Sequence, residues 1–306
     1  MRFNEIQNTD LIGECLNEFG FICYLLMYYG NVRSIPAKTD FRSRVSSSLY
    51  KVLCFTETWL LKIHYDDSYF PFGFRVYRQD RKTNGGGVAI IVHDDFKSTQ
   101  IQIHDPECES ICVKIELQPI SIVIYLAYVS EPNLAILLKH HKLIQEVIRM
   151  EPQSRIIVLG DFNLHDITWN LNDTESYYLP QKIISHTESE YYKMVGEFLK
   201  NMHQLPMYQL SNIKNIASNV LDLVFVNETN DVQVCRAPAA ITKIKETDHF
   251  HPPLEISFEY ESGKIESASI ETIEVFSYKR GNRPPLFAKK FKSYVKNELL
   301  LRLVTL

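Results

Sequence analysis

The chain has 306 residues, of which 45% are hydrophobic and 23% are charged, and its formal net charge at pH 7 is −4. These values are typical of a folded globular protein with one large α/β domain or two smaller ones. This negative net charge argues against a protein that binds nucleic acid over a surface that is basic throughout. Residues 261–306 differ, since nine Lys and Arg against five Glu give them +4 and leave −8 (−4 minus +4) for the first 260.

The longest apolar stretch and the cysteines narrow the class of protein further. The apolar stretch from Phe21 to Tyr29 is too short to span a bilayer, so we expect no membrane contact. The six cysteines are scattered and form no CxxC pair, which indicates neither a zinc site nor a disulfide framework. These features predict an intracellular, reduced protein, with the nucleus as one option. The sequence carries no sign of an oligomeric state.

Short β-type runs alternate with turns along most of the chain, and helical patterns are few. In chain order, strands are predicted at residues 23–29, 52–56, 87–92, 110–117, 120–128, 155–159, 221–226 and 254–258. Helices are predicted at 134–149 and 189–202. Many strands with few helices predict an α/β fold with four layers, in which two packed mixed β-sheets are flanked by helices.

The pattern also predicts how the chain is divided. Residues 21–260 form the main domain, between an N-terminal extension of residues 1–20 and a basic, partly helical C-terminal extension of residues 261–306. Within the main domain, residues 170–186 are polar and rich in Tyr, Asn and Asp, which predicts a long surface loop.

The stretch Gly-Asp-Phe-Asn at 160–163 follows the apolar run 155–159. In an extended chain, Asp161 and Asn163 point to the same side, at the carboxyl end of a core strand, where α/β folds place their ligands. A tight turn explains the same two residues equally well. Four other apolar runs also have polar residues at one end or inside the run. Asn31 and Glu57 each follow a run, Asp222 lies inside one, and the pair Asp248 and His249 precedes one.

Each of these residues alone has an ordinary structural explanation, as a turn residue, a helix cap, a satisfied core carboxylate or a packed histidine. Together they supply the ligands and the acid–base groups of phosphoryl chemistry. Carboxylate and amide oxygens suit Mg²⁺, whereas the histidines do not have the paired spacing of a zinc site. A buried Asp beside a His is the arrangement that fixes an imidazole tautomer.

The order of the motifs also resembles that of a known family. In sequence they are Asn-Val-Arg, Thr-Glu-Thr-Trp-Leu, Gly-Gly-Gly-Val-Ala-Ile, a strand ending in Tyr, Gly-Asp-Phe-Asn, Leu-Asp-Leu and Asp-His. From roughly Tyr24 to Phe258, this set resembles the endonuclease/exonuclease/phosphatase superfamily. The stretches TETWL, YRQDRKTNGGGVAI and DHFHPPL resemble the apurinic-type endonuclease domain of non-LTR (LINE-type) retrotransposons. No polymerase motif follows, so the resemblance implies an endonuclease segment without its reverse transcriptase.

The resemblance implies a Mg²⁺-dependent endonuclease that nicks DNA and leaves a 3′-hydroxyl, with Mn²⁺ as a substitute metal. By position, Glu57 would be the principal metal ligand, assisted by Asn31 and with Asp248 as a further carboxylate of the metal site. Arg33 stands where several repair-type relatives have an acidic residue, so a second metal ligand is in doubt.

The resemblance assigns the remaining positions to the reaction itself. Asp161 would activate or orient the attacking water, and Asn163 and Tyr128 would contact the scissile phosphate. Asp222 would orient His249, which would stabilise the transition state.

Two alternatives to a DNA endonuclease stay open. One is a phosphatase or phosphodiesterase of the same fold that acts on inositol or lipid phosphates, since a fold does not fix a substrate. The other is a catalytically silent module that only binds nucleic acid. For a DNA-binding face the sequence offers one basic cluster, for which a solvated charged turn is an equal explanation. The cluster consists of Arg75, Arg78, Arg81 and Lys82.

Overall fold

The computed structural model describes residues 21–82, 85–172, 176–181, 190–238 and 249–262. The chain divides into two compact units, Leu25–Glu259 and the terminal segments Met1–Tyr24 with Tyr260–Leu306. The predicted domain boundaries after residues 20 and 260 stay predictions. The predicted helix in the C-terminal extension lies outside the described residues.

The described residues form fourteen strands and four helices. The strands are β1 Phe21–Asn31, β2 Val52–Thr56, β3 Phe74–Gln79, β4 Val88–His93, β5 Lys97–Gln100, β6 Glu109–Glu116, β7 Ser121–Tyr128, β8 Arg155–Asp161, β9 Thr168–Asn172, β10 Tyr177–Gln181, β11 Tyr208–Gln209, β12 Asp222–Val226, β13 Val232–Arg236 and β14 Leu254–Ser262. The helices are α1 Phe41–Ser46, α2 Asp66–Tyr69, α3 Leu134–Met150 and α4 Glu190–Gln204. None of these helices is both long and apolar enough to cross a membrane.

The strands form two mixed sheets. The first has six strands in the order β13-β14-β1-β2-β4-β3, and the second has eight in the order β5-β6-β7-β8-β12-β11-β10-β9. In each sheet two neighbours run parallel, β1 with β2 and β7 with β8. The prediction of an α/β fold built on two mixed sheets is confirmed.

Strand β7 shows why the sheets form the inner layers of the molecule. Its residues alternate between two faces, as in any strand. Val123, Tyr125 and Ala127 pack in a cluster with the apolar side chains of α3 and α4. Ile122 and Ile124 point to the opposite face and are also fully buried. Both faces of the strand are therefore covered, as its nearly continuous apolar sequence predicts.

The prediction of a long surface loop at residues 170–186 is wrong in part, because the range contains part of β9 and all of β10. Strands β9 and β10 pair in antiparallel register and form one edge of the second sheet, with Asn172 opposite Tyr177. Polar residues tolerate this position because an edge strand is covered on fewer sides than a central strand. Residues 182–186 lie outside the described residues.

A buried histidine beneath the second sheet makes the stability of the fold depend on pH. His140 of α3 is fully buried, and its Nδ1 lies 2.8 Å from the hydroxyl oxygen of Tyr125. Burial lowers the pKa of His140 from 6.5 to about 4, so the folded protein holds a neutral imidazole. As the pH falls below 6.5, the unfolded chain takes up a proton that the folded chain does not, and stability is lost progressively down to the folded pKa.

These two pKa values predict a loss of about 2 kcal/mol in unfolding free energy between about pH 7.5 and pH 5. Urea unfolding followed by fluorescence at both pH values measures it. We expect the double variant Tyr125→Phe/His140→Leu, which removes the imidazole and its polar partner, to lack this part of the loss. The variant His104→Gln changes an exposed histidine and should lose as much stability as the unmodified chain. An unchanged pH slope in the double variant would contradict the assignment.

Candidate active site

Polar side chains from both sheets meet where the two parallel strand pairs end. Asn31 is the last residue of β1 and Glu57 follows β2, whereas Tyr128 ends β7 and Asp161 ends β8. Asp222 opens β12 and lies opposite Asp161 in the antiparallel register of β8 and β12. The structure therefore brings together five of the eight predicted site residues, and it also places Asn163 two residues beyond Asp161.

The loop that carries Glu57 is held on both sides by backbone hydrogen bonds. Glu57 and Trp59 have φ angles of 51° and 55°, a left-handed conformation that costs free energy in residues with a side chain. On one side, the carbonyl of Glu57 accepts a hydrogen bond from Ser34 N at 2.8 Å. On the other, Trp59 N donates to the carbonyl of Gly86 at 2.9 Å. These contacts fix the direction of the Glu57 side chain.

The carboxylate of Glu57 accepts three hydrogen bonds from side chains. Its Oε1 accepts from Asn31 Nδ2 at 3.2 Å and from the Tyr128 hydroxyl at 2.9 Å. Its Oε2 accepts from Trp59 Nε1 at 3.3 Å. Burial, followed by the charge of Glu57, raises the pKa of Tyr128 far above its usual value, so the phenol stays protonated and donates. The contact from Tyr128 also joins the second sheet to the first.

Asp161 is completely buried, and its carboxyl has a raised pKa. Its Oδ2 accepts from Asn31 Nδ2 at 2.9 Å and its Oδ1 from Asn163 N at 3.1 Å. Desolvation, and then the nearby charge of Asp222, raise the pKa of Asp161 from 3.8 to about 7. His251 and the two hydrogen bonds oppose this rise. A carboxyl with this pKa takes up and releases a proton near neutral pH.

The histidine beside Asp222 is His251, which corrects the prediction for His249. Nδ1 of His251 lies 3.2 Å from Asp222 Oδ2 and 3.5 Å from Asp161 Oδ2. The other oxygen of Asp222 accepts from the Tyr29 hydroxyl at 2.7 Å. The buried imidazole therefore touches both carboxylates of the second sheet.

His249 is exposed, and its backbone carbonyl accepts a hydrogen bond from Ile216 N at 2.9 Å. The sequence reads His-Phe-His, so spacing alone did not separate the two histidines, and the likeness to an Asp-His pair favoured the first. The available signal was the Pro-Pro pair after His251, which leads directly into the buried strand β14. Asp248 lies outside the described residues, and its predicted role stays a prediction.

Asn163 lies two residues beyond Asp161 in a left-handed conformation, with φ of 50°. It is half-buried, and its side-chain amide donates to the carbonyl of Val129 at 3.0 Å. This contact joins the turns that follow β7 and β8. Its predicted contact with a phosphate stays a prediction.

Gly160 allows Asp161 to reach its place. A Cβ on Gly160, whose φ is 152°, would lie 1.9 Å from the carbonyl oxygen of Ala127. Ala127 is its partner in the parallel register of β7 and β8. The backbones of the two strands therefore approach too closely at this point for any side chain.

In the described part of the site, metal ligands are available at two places: the carboxylate of Glu57, and the cluster of Asp161, Asp222 and His251. Glu57 is half-buried, and its carboxylate suits Mg²⁺, which keeps several water ligands. Ligand atoms of Asp161, Asp222 and His251 lie within 4.8 Å of one another. These three are buried, however, which leaves little room for the water ligands that Mg²⁺ keeps. The Glu57 side therefore fits Mg²⁺ better.

Asn31 presents its amide nitrogen to both carboxylates, while its oxygen accepts from Arg33 N at 3.3 Å. In this orientation it binds Glu57 and Asp161 together. It would become a metal ligand, as predicted, only if the amide turned over.

The four basic residues predicted as one cluster separate in the structure. Arg75 donates to the carbonyl of Ser98 at 2.8 Å from within β3. Arg78, also in β3, pairs with Asp66 at 3.1 Å. Arg81 alone reaches the site, where its guanidinium lies 5.8 Å from the ring centroid of Tyr128. Lys82 is exposed.

Comparison with known proteins adds an independent line of evidence. Residues 122–250 match a family model described as endonuclease-reverse transcriptase. This range includes Tyr128, Asp161 and Asp222 but begins after Glu57 and ends one residue before His251. A comparison with curated protein sequences gave no significant match.

Among solved structures, the chain is similar to the endonuclease domain of TRAS1, a telomere-specific non-LTR retrotransposon, with a TM-score of 0.50 and 14% identity over 77% of this chain and 98% of that one. It is also similar to the 3′-5′ exonuclease NExo from Neisseria meningitidis, with a TM-score of 0.51 and 14% identity over 77% of this chain and 100% of that one. At these identities the likeness establishes the fold. The fold expected from the resemblance in the sequence is thus confirmed: the chain has the fold of these two nucleases, and residues 122–250 match the endonuclease-reverse transcriptase model.

Proposed function

We propose that the protein is a Mg²⁺-dependent DNA endonuclease that hydrolyses one phosphodiester bond and leaves a 3′-hydroxyl. The observation that carries the proposal is the hydrogen-bonded cluster in which Asn31 joins Glu57, the candidate metal ligand, to Asp161, the candidate base. The family model described as endonuclease-reverse transcriptase supports a nuclease, and together with the TETWL and GGGVAI motifs it supports an origin in a non-LTR retrotransposon.

The protein residues divide the work of hydrolysis between them. Asp161 accepts the proton of the attacking water, a role for which its raised pKa near neutrality is suited. His251, whose Nδ1 donates to Asp222, stabilises the charge that develops on the phosphoryl oxygens. Asn163 and the Tyr128 hydroxyl contact the scissile phosphate. The water oxygen bonds to phosphorus, the bond from phosphorus to the 3′ oxygen breaks, and that oxygen takes up a proton from solvent water to become the 3′-hydroxyl.

Glu57 would hold Mg²⁺, with Asn31 beside it, and Asp248 is proposed as a further carboxylate of the same site. When bound, the ion supplies positive charge against the transferring phosphoryl group. Asn31 Nδ2 donates to Glu57 Oε1 at 3.2 Å and so holds the carboxylate in place.

We expect Glu57→Gln to weaken metal binding and to lower the rate of plasmid nicking at limiting Mg²⁺ by about 10- to 100-fold, with partial recovery at high Mg²⁺. The amide keeps the shape of the side chain but removes the charge that attracts the cation. Nicking is measured on supercoiled plasmid, with EDTA as the blank. As a second readout, Mg²⁺ should raise the thermal unfolding temperature of the unmodified chain and not that of the variant.

Glu116→Gln is the matched control, because Glu116 pairs with Lys97 where β6 meets β5. It should nick at the original rate. Equal Mg²⁺ dependence in the Glu57 variant and the unmodified chain would refute the metal assignment. Turnover of an inositol phosphate without nicking would favour the phosphatase alternative over the nuclease.

A further inference from the structure

One arginine beside the site is not used by the proposed reaction. Arg81 follows β3, and its guanidinium lies over the ring of Tyr128, 5.8 Å from the centroid. The hydroxyl of the same ring donates to Glu57 at 2.9 Å. One aromatic side chain therefore links the guanidinium to the candidate metal ligand. The Arg81 side chain keeps 32% of its surface exposed, so part of it is open to a ligand.

Arg81 is fixed in this position by Glu109 at the start of β6. Glu109 Oε1 forms an ion pair with Arg81, and its Oε2 accepts from Gly87 N at 2.7 Å. The carbonyl of Gly87 in turn accepts from Thr58 N at 3.2 Å, in the loop that carries Glu57. A continuous chain of contacts thus fixes the guanidinium relative to Glu57. Such rigidity is what a ligand-positioning group requires.

We propose that Arg81 binds a phosphate of the DNA strand next to the scissile one and so positions that strand over Glu57. The inference rests on the proposed function, because it takes Tyr128 as a contact of the scissile phosphate. A guanidinium offers five donors in a planar fork, and Nη2 of Arg81 donates to Glu109 Oε1 and, at 3.4 Å, to Ser130 Oγ. The remaining donors suit the oxygens of a phosphate diester. Arg75 and Arg78 do not compete for this role, because their guanidinium groups contact Ser98 and Asp66, whereas that of Arg81 lies over Tyr128 of the site.

The competing explanation is structural, since Arg81 and Glu109 also hold the loop after β3 against β6. Salt dependence of DNA binding separates the two. Binding of a short duplex is measured without Mg²⁺, so that no cleavage occurs, across about 50 to 200 mM salt. We expect Arg81→Gln to weaken binding about tenfold at the lower salt and to reduce the slope of log affinity against log salt by about 0.9, the value for one phosphate contact.

Three further variants make the result specific. Glu109→Gln weakens the ion pair that holds Arg81 but leaves the guanidinium charge in place, so it should keep the original slope of log affinity against log salt. Lys97→Gln removes a positive charge from the exposed strand β5 and should also keep the slope. Arg81→Lys keeps the charge without the fork and should fall between the unmodified chain and Arg81→Gln. In nicking assays Arg81→Gln should raise KM more than it lowers kcat.

An unchanged slope in Arg81→Gln, with equal losses of thermal stability in the Arg81→Gln and Glu109→Gln variants, would overturn the proposal while leaving the nuclease assignment intact. An unmodified chain that neither binds nor nicks DNA would instead overturn the proposed function, and the phosphate contact with it.

Discussion

His251→Ala should lower the rate of plasmid nicking by about 10²- to 10⁴-fold, the range for loss of a charge-stabilising or acid–base group at a phosphoryl centre. The imidazole is almost fully buried and lies within 3.5 Å of both Asp161 and Asp222. Its removal leaves the two carboxylates without the group that offsets their repulsion. The rate is measured as conversion of supercoiled to open-circular plasmid at saturating Mg²⁺.

His249→Ala is the matched control, because it removes an imidazole two residues away that is exposed. It should nick at close to the original rate and unfold at the original temperature. Circular dichroism of both variants excludes loss of the fold as the cause. If His249→Ala were inactive and His251→Ala fully active, the assignment of the imidazole beside Asp222 as the functional one would be wrong.

Gly160→Ala should destabilise the fold by about 3 kcal/mol or more, enough to abolish folded protein in a marginally stable chain. The added Cβ would lie 1.9 Å from the carbonyl oxygen of Ala127, and backbone cannot rotate away as a flexible side chain can. Strands β7 and β8 would have to separate, and their apolar side chains would lose packing on both faces. Yield of folded protein and urea unfolding measure the effect.

Gly196→Ala provides the comparison, since Gly196 lies inside α4 and an added Cβ meets no atom within 4 Å. Alanine is the better helix former, so this variant should gain about 0.5–1 kcal/mol of stability. A Gly160→Ala protein as stable as the unmodified chain would show that the two strands can move apart at little cost.

The strands that carry the site were predictable because they are central and buried on both faces. Their apolar runs are nearly continuous, and β2 begins and ends at the predicted residues, Val52–Thr56. Strands β3 and β9 were missed because edge strands alternate with charged or polar residues, which the sequence pattern does not distinguish from loops. Edge position depends on the whole sheet and not on the local sequence.

The candidate site was predictable in its residue types but not in all its contacts. Asn31, Glu57, Asp161 and Asp222 converge as their positions at strand ends predict. The choice between two histidines was not local, because it depends on which one the start of β14 directs into the interior. The sequence also did not predict that Arg81 would lie apart from Arg75 and Arg78. That separation arises because β3 ends at Gln79, so Arg81 lies beyond the strand that contains the other two.

The side-chain hydrogen bonds between the two sheets also have a consequence for folding. Asn31 to Asp161, Tyr29 to Asp222 and Tyr128 to Glu57 span 130, 193 and 71 positions along the chain. Contacts that close such long loops are costly in chain entropy and form late in folding. Neither sheet holds all of the candidate site residues, so we expect a fragment that contains only one sheet to be inactive. We therefore expect nicking activity to require the complete fold, and its first appearance during refolding to mark the docking of the two sheets.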